Sequence, residues 1–453
     1  MVKKCFWVAL AAELVLLGCL PRFGDFSVDG NALKFVAIFL ASGCAFFAAV
    51  ASFESVPKVF RRKIFWVAAI ALRVAVFAMP PGDDFWRYGW EGRVQLHGRN
   101  PYLQSPEAPD LMSLRDEQWQ KINHREWPAI YPPGTEWLFV EMARISAQPW
   151  FFKAVFTLAD LGVVFLLTRI TTGSARHRTA AWYAWNPLTV CAFAGSGHFD
   201  SLMLLPMTAA VWALRRAMPL DSVAGRAAWS WAALSAGLLG VAISVKTVPV
   251  FLLPIWAFAL GSRCALLALS GAIPALLALP YGGLGVVTKP LRDFAEVTRF
   301  NDLVWWIFNE DFWPAVVKKT VNHGWFHFLP IFGLNPYYEN SRYNFLLAAA
   351  VCVISFFLRH DWPRAMLWVL GAILILSPAL HPWYVTWILP AACARKTLPW
   401  FVLSITVAIC LLIWKPGPFW NAWEMNLPLR LAMLAPPLLA IWFWKKNNES
   451  AHA

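Results

Sequence analysis

The sequence predicts an all-α polytopic membrane protein of about fourteen transmembrane helices, with a large first extracytoplasmic loop carrying short interfacial helices. Three observations predict it. Of 453 residues, 59% are hydrophobic and only 14% charged, with a mean hydropathy of +0.52. A soluble domain runs nearer 45–50% apolar and about 25% charged. The 28 tryptophans fit a chain with two hydrocarbon–headgroup boundaries, where indole rings concentrate. The short basic clusters between apolar runs fall on one side of a single topology.

A span needs about 20 mostly apolar residues, fewer where protein shields its ends. Candidate spans lie at 4–20, 31–51, 64–80, 149–169, 179–195, 199–214, 228–245, 247–261, 264–280, 343–358, 364–380, 382–394, 398–414 and 429–444. With the N-terminus inside, Lys58, Arg61, Arg62 and Lys63 lie inside. Arg176 with Arg178, Arg215 with Arg216, Arg359 with Arg364, Arg395 with Lys396, and Lys445 with Lys446 fall on the same face. The net charge of +13 is therefore read as topology signal, and a nucleic-acid partner is not expected.

The first segment carries Lys3 and Lys4 ahead of an apolar run ending Leu16-Leu17-Gly18-Cys19, a lipoprotein-like cleavage box. Glu13 inside the run favours a retained helix instead. The eight cysteines are scattered through apolar stretches without metal-type spacing and read as small apolar fillers. The chain reads as one domain, 1–453, with two long polar stretches outside, at 81–148 and 281–342. Within the first, Leu111, Leu114 and Ile122 share a helical face that Arg115, Asp116 and Lys121 leave, so a short interfacial helix is expected. Tyr131-Pro132-Pro133-Gly134 ends the loop before Trp137–Ile145 returns to the membrane.

The densest chemistry follows the third span: Gly82-Asp83-Asp84-Phe85-Trp86-Arg87-Tyr88-Gly89-Trp90-Glu91-Gly92-Arg93. Adjacent carboxylates repel, so one of Asp83 and Asp84 is expected to have a raised pKa and to serve as a base. Arg87 is close enough in sequence to orient Asp84 or to meet a substrate phosphate. Trp86, Tyr88 and Trp90 offer flat faces for sugar rings or headgroups. Gly195-Ser196-Gly197-His198-Phe199-Asp200 places two titratable groups at an outer helix end, on either a functional or a merely tight turn. Lys246 either snorkels to the outer interface or holds a lipid-linked phosphate. His381-Pro382-Trp383-Tyr384 lies on the same face. Asp160, inside the fourth span, reads as structural, paired with Lys153 or with a neighbouring helix. No nucleotide-binding glycine loop or zinc-type histidine pair is present, so chemistry here would draw on a substrate activated elsewhere.

These residues resemble the GT-C class of integral-membrane glycosyltransferases, particularly the bacterial polyprenyl-phosphate-sugar-dependent enzymes grouped with mannosyltransferases. The carriers are Asp83-Asp84 with Arg87-Tyr88, Gly98-Arg99-Asn100-Pro101-Tyr102, Ile130-Tyr131-Pro132-Pro133-Gly134, Trp185-Asn186-Pro187 through Gly197-His198-Phe199-Asp200, and His381-Pro382-Trp383-Tyr384. The resemblance covers most of the chain. It implies a polyprenyl-phosphate hexose donor, mannose favoured, and a lipid or glycan acceptor at the extracytoplasmic face of a bacterial cytoplasmic membrane. It also implies inversion at the anomeric carbon and an acidic base in the first loop. The catalytic-acid motif maps onto Asp83 and Asp84, with Asp84 favoured as the base. Arg87, Tyr88, Glu91, Arg93, His198, Asp200, Lys246, His381 and Tyr384 are the expected substrate-binding groups. Glu91 stands where the class pattern has Asp, and a divalent cation (Mg or Mn) is a possible cofactor. The rival class is a multi-pass transporter or lipid-sugar flippase. That class would show repeated halves and functional residues at the midplane rather than at one surface.

Overall fold

A computed structural model describes residues 2–218, 226–298, 300–304, 340–414 and 425–449. The described residues are helical apart from loops and one isolated parallel bridge, Phe300 with Ala379. The helices are α1 (Val2–Cys19), α2 (Asn31–Ser52), α3 (Lys58–Val76), α4 (Phe85–Leu96), α5 (Pro133–Ile145), α6 (Pro149–Ile170), α7 (Arg176–Ala184), α8 (Pro187–Val190) and α9 (Asp200–Ala217). They continue as α10 (Arg226–Val245), α11 (Leu253–Leu260), α12 (Ala268–Ala278), α13 (Leu284–Val297), α14 (Asn340–Phe357), α15 (Trp362–Leu376), α16 (Leu389–Arg395), α17 (Leu398–Thr406) and α18 (Leu427–Glu449).

Among the described residues, five helical stretches are long and apolar enough to cross a bilayer: Lys4–Phe23, Asn31–Ser55, Pro149–Ile170, Ala228–Val245 and Val248–Tyr281. Shorter apolar helices lie at Leu346–Phe357, Trp362–Leu376, Leu398–Ile413 and Leu427–Trp442. Several expected spans are therefore interrupted or short. The stretch expected at 179–195 breaks at Asn186, whose extended backbone (φ −59°, ψ 122°) precedes Pro187. A residue before proline is disfavoured in the helical region, and Pro187 cannot donate to the preceding turn. The Asn186 side chain accepts from the Leu188 amide, and a π-helical turn over Cys191–Gly195 completes the passage. Trp185 through Gly195 are all buried, so protein rather than lipid surrounds the irregular backbone. Likewise 247–261 and 264–280 run together, interrupted at Gly261, which holds φ 56°. The expected span 382–394 is a 3-10 helix, Pro382–Trp387, followed by the short α16.

Packing joins α1 to α2 and α3, α9 to α6 and α10, and α10 to α12. A fully buried ion pair joins α3 to α6. Arg73 of α3 meets Asp160 of α6 at 2.6 Å, and the Tyr183 hydroxyl donates to the other carboxylate oxygen at 2.8 Å. The partner of Asp160 is thus on a neighbouring helix and is not Lys153. Lys153 instead donates to the carbonyls of Phe77 and Met79, at 2.6 and 2.7 Å, satisfying the orphan acceptors at the end of α3.

The first outer loop is stacked on the bundle end. The single interfacial helix expected over 111–123 is two 3-10 turns, Pro109–Leu114 and Trp119–Lys121. Arg115 is extended between them, and Asp116 caps the second turn by accepting from the Trp119 amide at 3.0 Å. Leu111 and Ile122 pack against Trp90 and Val94 of α4 rather than facing outward. Close packing of α4 on α5 depends on Gly92, where a Cβ would stand 2.5 Å from the Phe139 carbonyl oxygen. Of the second loop, α13 is described, and 305–339 lies outside the described residues.

Candidate functional site

Asp84 is the N-cap residue of α4, yet its side chain makes no capping bond. One carboxylate oxygen accepts from Asn123 Nδ2 at 3.0 Å, and the other stands 3.9 Å from His198 Nδ1. Two loops far apart in the sequence create this approach. The Gly82 amide donates to the Ser196 carbonyl at 2.8 Å, pinning the acidic loop to the turn before α9. That turn needs Gly197 at φ 74°, a region that side-chain-bearing residues rarely adopt. A Cβ at Gly82 would lie 3.4 Å from His198 Nε2, in ordinary contact with the ring.

Aromatic rings form the next wall. His198 stacks face-on with Trp383 at 3.5 Å between centroids. His381 stacks on Trp383 at 4.6 Å and on Phe300 at 4.6 Å. The ladder is held from behind by backbone bonds, Phe300 to the Pro378 carbonyl and Leu380 to the Phe300 carbonyl at 2.7 Å. Burial pushes both His198 and His381 down to about 4, so each imidazole is neutral at physiological pH. His198 Nδ1 is buried without a hydrogen-bond partner in the protein.

The third component is an ammonium. Lys246 Nζ is 2.5 Å from Asp200 Oδ1, which also accepts from Trp387 Nε1 at 2.6 Å. The ammonium lies 4.7–4.9 Å from the ring centroids of Phe199, Tyr384 and Trp387. Such a box stabilises a cation through ring quadrupoles while keeping water away. Lys246 is therefore a fixed charge rather than a residue snorkelling to the interface.

Electrostatics separates the two acids. For Asp84, burial raises the carboxyl, but His198, His381, the Asn123 hydrogen bond and Lys246 together hold it below the usual value. Asp83 lies nearer solvent, and partial desolvation of its carboxyl, then the charge of Asp84, then that of Asp25, raises it. The raised member of the pair is thus Asp83, whereas the histidine fields act on Asp84.

The remaining expected site residues separate into two groups. Tyr384 lies in the aromatic box, and Tyr88 packs under it, stacked on Phe139 at 4.8 Å and edge-on to Phe199 at 5.3 Å. Arg87 is turned away from Asp84. Its guanidinium meets Glu91 at 2.9 Å and the carbonyls of His124, Trp127 and Pro128 at 2.8–3.0 Å, holding the loop rather than presenting charge. Glu91 is committed to that bond, and burial raises its carboxyl despite Arg87. Arg93 pairs with Asp116 on the outer surface of the loop. Asn123, Trp383, Trp387, Phe199 and Phe300 were not expected as site residues. Trp383 and Phe199 sit within the quoted motifs, but Asn123 and Phe300 carry no local signal. Among the described residues, no group of three His, Cys, Asp or Glu side chains converges as a metal site.

The segment holding Asp84, His198 and Lys246 is also the segment with known relatives. Residues 27–262 match the family model for alpha-(1->6)-mannopyranosyltransferase, N-terminal domain. The chain belongs to this family. No curated protein and no solved structure gives a significant match. Membership in the mannopyranosyltransferase family makes the protein a membrane glycosyltransferase for mannosyl transfer, in agreement with the GT-C resemblance of its motifs. The family match covers α2 through α11, whereas His381, Trp383, Tyr384 and Trp387 come from beyond it.

Proposed function

We propose that this mannosyltransferase takes mannose from a polyprenyl-phosphate donor and delivers it, with inversion, to a hydroxyl of a lipid or glycan acceptor. The reaction takes place at the extracytoplasmic face of a bacterial cytoplasmic membrane, at the outer end of a bundle of about fourteen spans. The observation that carries this reading is the convergence of one ionised carboxylate, two neutral imidazoles and one boxed ammonium at a single end of the bundle.

Asp84 is the base. Its Oδ2 takes the acceptor hydroxyl proton as that oxygen bonds to the anomeric carbon, and the bond from that carbon to the phosphate oxygen breaks. A carboxylate held below its usual value is always ionised but a weak base. The incoming phosphate offsets the positive field of Lys246 and so raises the basicity of Asp84 when the donor is bound. Lys246 has donors left after Asp200 takes one, and it meets the charge that develops on the departing phosphate. His198, with Nδ1 unpartnered, receives or orients a substrate oxygen. The family description names an α-(1→6) linkage, and single displacement to such a product requires a β-configured donor. Glu91, the expected cation contact, has its Oε1 engaged by the Arg87 guanidinium.

The test offers radiolabelled polyprenyl-phosphate hexoses and a membrane lipid extract to purified wild type and Asp84→Asn. Transfer of mannose by wild type alone supports donor, sugar and base together. A folded wild type that consumes none of the donors defeats the reading.

A further inference from the structure

We propose that a cavity at the end of the bundle opposite Asp84 binds the phosphodiester headgroup of an anionic membrane phospholipid. The cavity, about 280 Å³, lies between the first turns of α3 and α7 and the last turns of α6. Arg62 comes from α3, Arg169 from α6 and Arg176 from α7, so three helices each supply one arginine to the lining of one space. Trp66 and Phe165 form its apolar wall. Asp84 follows the far end of α3, and α3 with 19 residues is about 28 Å long, so the two sites lie at opposite ends of this helix.

Topology explains why arginines lie at this end but not why three of them share a cavity. The acid on the neighbouring turn, Glu54, is engaged by Arg178 at 3.2 Å. His177 lines the same space, and burial followed by the fields of Arg176 and Arg62 keeps its imidazole below the usual value. The positive charge is therefore carried by guanidinium groups, whose forked donors suit phosphate oxygens.

A lipid rather than free phosphate is favoured by what adjoins the cavity. Phe165 is 46% exposed beside it. Val67, Ile70 and Val74 are exposed along one face of α3, running from the cavity toward the bundle's other end. An acyl chain laid on that track would place its headgroup among the arginines, with Trp66 at the glycerol level. Basic pockets between helices at one membrane surface bind anionic headgroups in this way.

Native mass spectrometry of the full-length protein in detergent tests this, with equal phosphatidylglycerol and phosphatidylcholine titrated in. Wild type is expected to take phosphatidylglycerol about tenfold more tightly, near the lower end of what three surface arginines supply at low salt. The triple variant Arg62→Gln/Arg169→Gln/Arg176→Gln is expected to show less than about a twofold preference, with sugar transfer retained. Equal binding of the two lipids by wild type, or an undiminished preference in the triple variant, overturns the proposal. Displacement of phosphatidylglycerol from wild type by millimolar inorganic phosphate overturns it too, in favour of a free-anion site. If the triple variant does not fold, Arg169→Gln alone carries the test. That side chain is exposed on the last turn of α6, and the preference must fall by about threefold or more.

Discussion

His198 Nδ1 faces Asp84 Oδ2 across 3.9 Å, close enough for charge to be felt and too far for a hydrogen bond. The gap leaves one lone pair of the carboxylate available to a substrate hydroxyl while Asn123 fixes the other oxygen. Asp84→Asn should therefore lower mannose transfer by about a hundredfold or more, the usual contribution of a positioned base. Asp83→Asn, at the exposed neighbour, should cost less than about tenfold. Initial rates with a radiolabelled donor decide both, with monodispersity on gel filtration as the control for folding.

The pH dependence follows from the same pair. With both imidazoles held down to about 4, neither titrates near the ordinary histidine value of about 6.5. Transfer should be flat from neutral pH down to about 5 and fall below it. Stability behaves differently. Between about 6.5 and about 4 the unfolded chain binds protons that the folded chain refuses, so stability drops as pH falls through that window and levels off below it. Melting temperatures in detergent across this range should show the slope, and His198→Gln should make it shallower. A Trp383→Leu variant that moved the acid limb of the rate profile upward would identify the stacked ring as what keeps His198 desolvated.

Lys246 sits in a box shaped for an ammonium. Lys246→Gln should lower kcat by about a hundredfold, in line with losing one preorganised charge-stabilising donor. Lys246→Arg should not restore it fully, because a planar guanidinium does not fit among the three rings as a compact ammonium does. Asp200→Asn leaves the lysine without its counter-charge and should lower KM for the anionic donor, most when ionic strength is low. Steady-state kinetics with varied donor distinguishes these outcomes.

Arg73 and Asp160 are both buried, and losing one strands the other. Either Arg73→Met or Asp160→Leu should destabilise by roughly 3–5 kcal/mol, while the double variant should recover most of that loss. Thermal melting of the three variants in one detergent measures the recovery.

Gly92→Ala adds only one methyl group, yet that group would collide with the Phe139 carbonyl across the α4–α5 contact. The helix bearing Arg87 and preceded by Asp84 would shift. Activity should fall several-fold with donor affinity and kcat both affected, although no functional group has been removed.

The helical membrane architecture was legible because hydrophobic runs and basic clusters are local properties of a chain. So were Asp84, His198, Lys246 and His381, since polar groups at helix ends stand out against apolar sequence. Interrupted helices were less legible. Pro187 marked a break, but an apolar run says nothing about whether lipid or protein surrounds it. Contacts inside the first loop do not follow proximity in sequence. Arg87 is three residues from Asp84, yet helical geometry turns it toward Glu91 at the next turn and into a nest of carbonyls. Asn123, 39 residues beyond Asp84, and Phe300, stacked on His381, arrive through tertiary contacts that no periodicity encodes. Arg73 likewise found Asp160 across 87 positions.

The aromatic box around Lys246 takes Phe199 from the family-matched segment but Tyr384 and Trp387 from beyond it. Neither half of the polypeptide can by itself shield that ammonium from water. A chain cut after residue 262 would carry the acid, one histidine and the lysine, yet leave the lysine hydrated and its charge screened. The candidate site thus needs both parts of the chain docked together. Two separately expressed fragments would be inert alone and would gain activity only as they recombine.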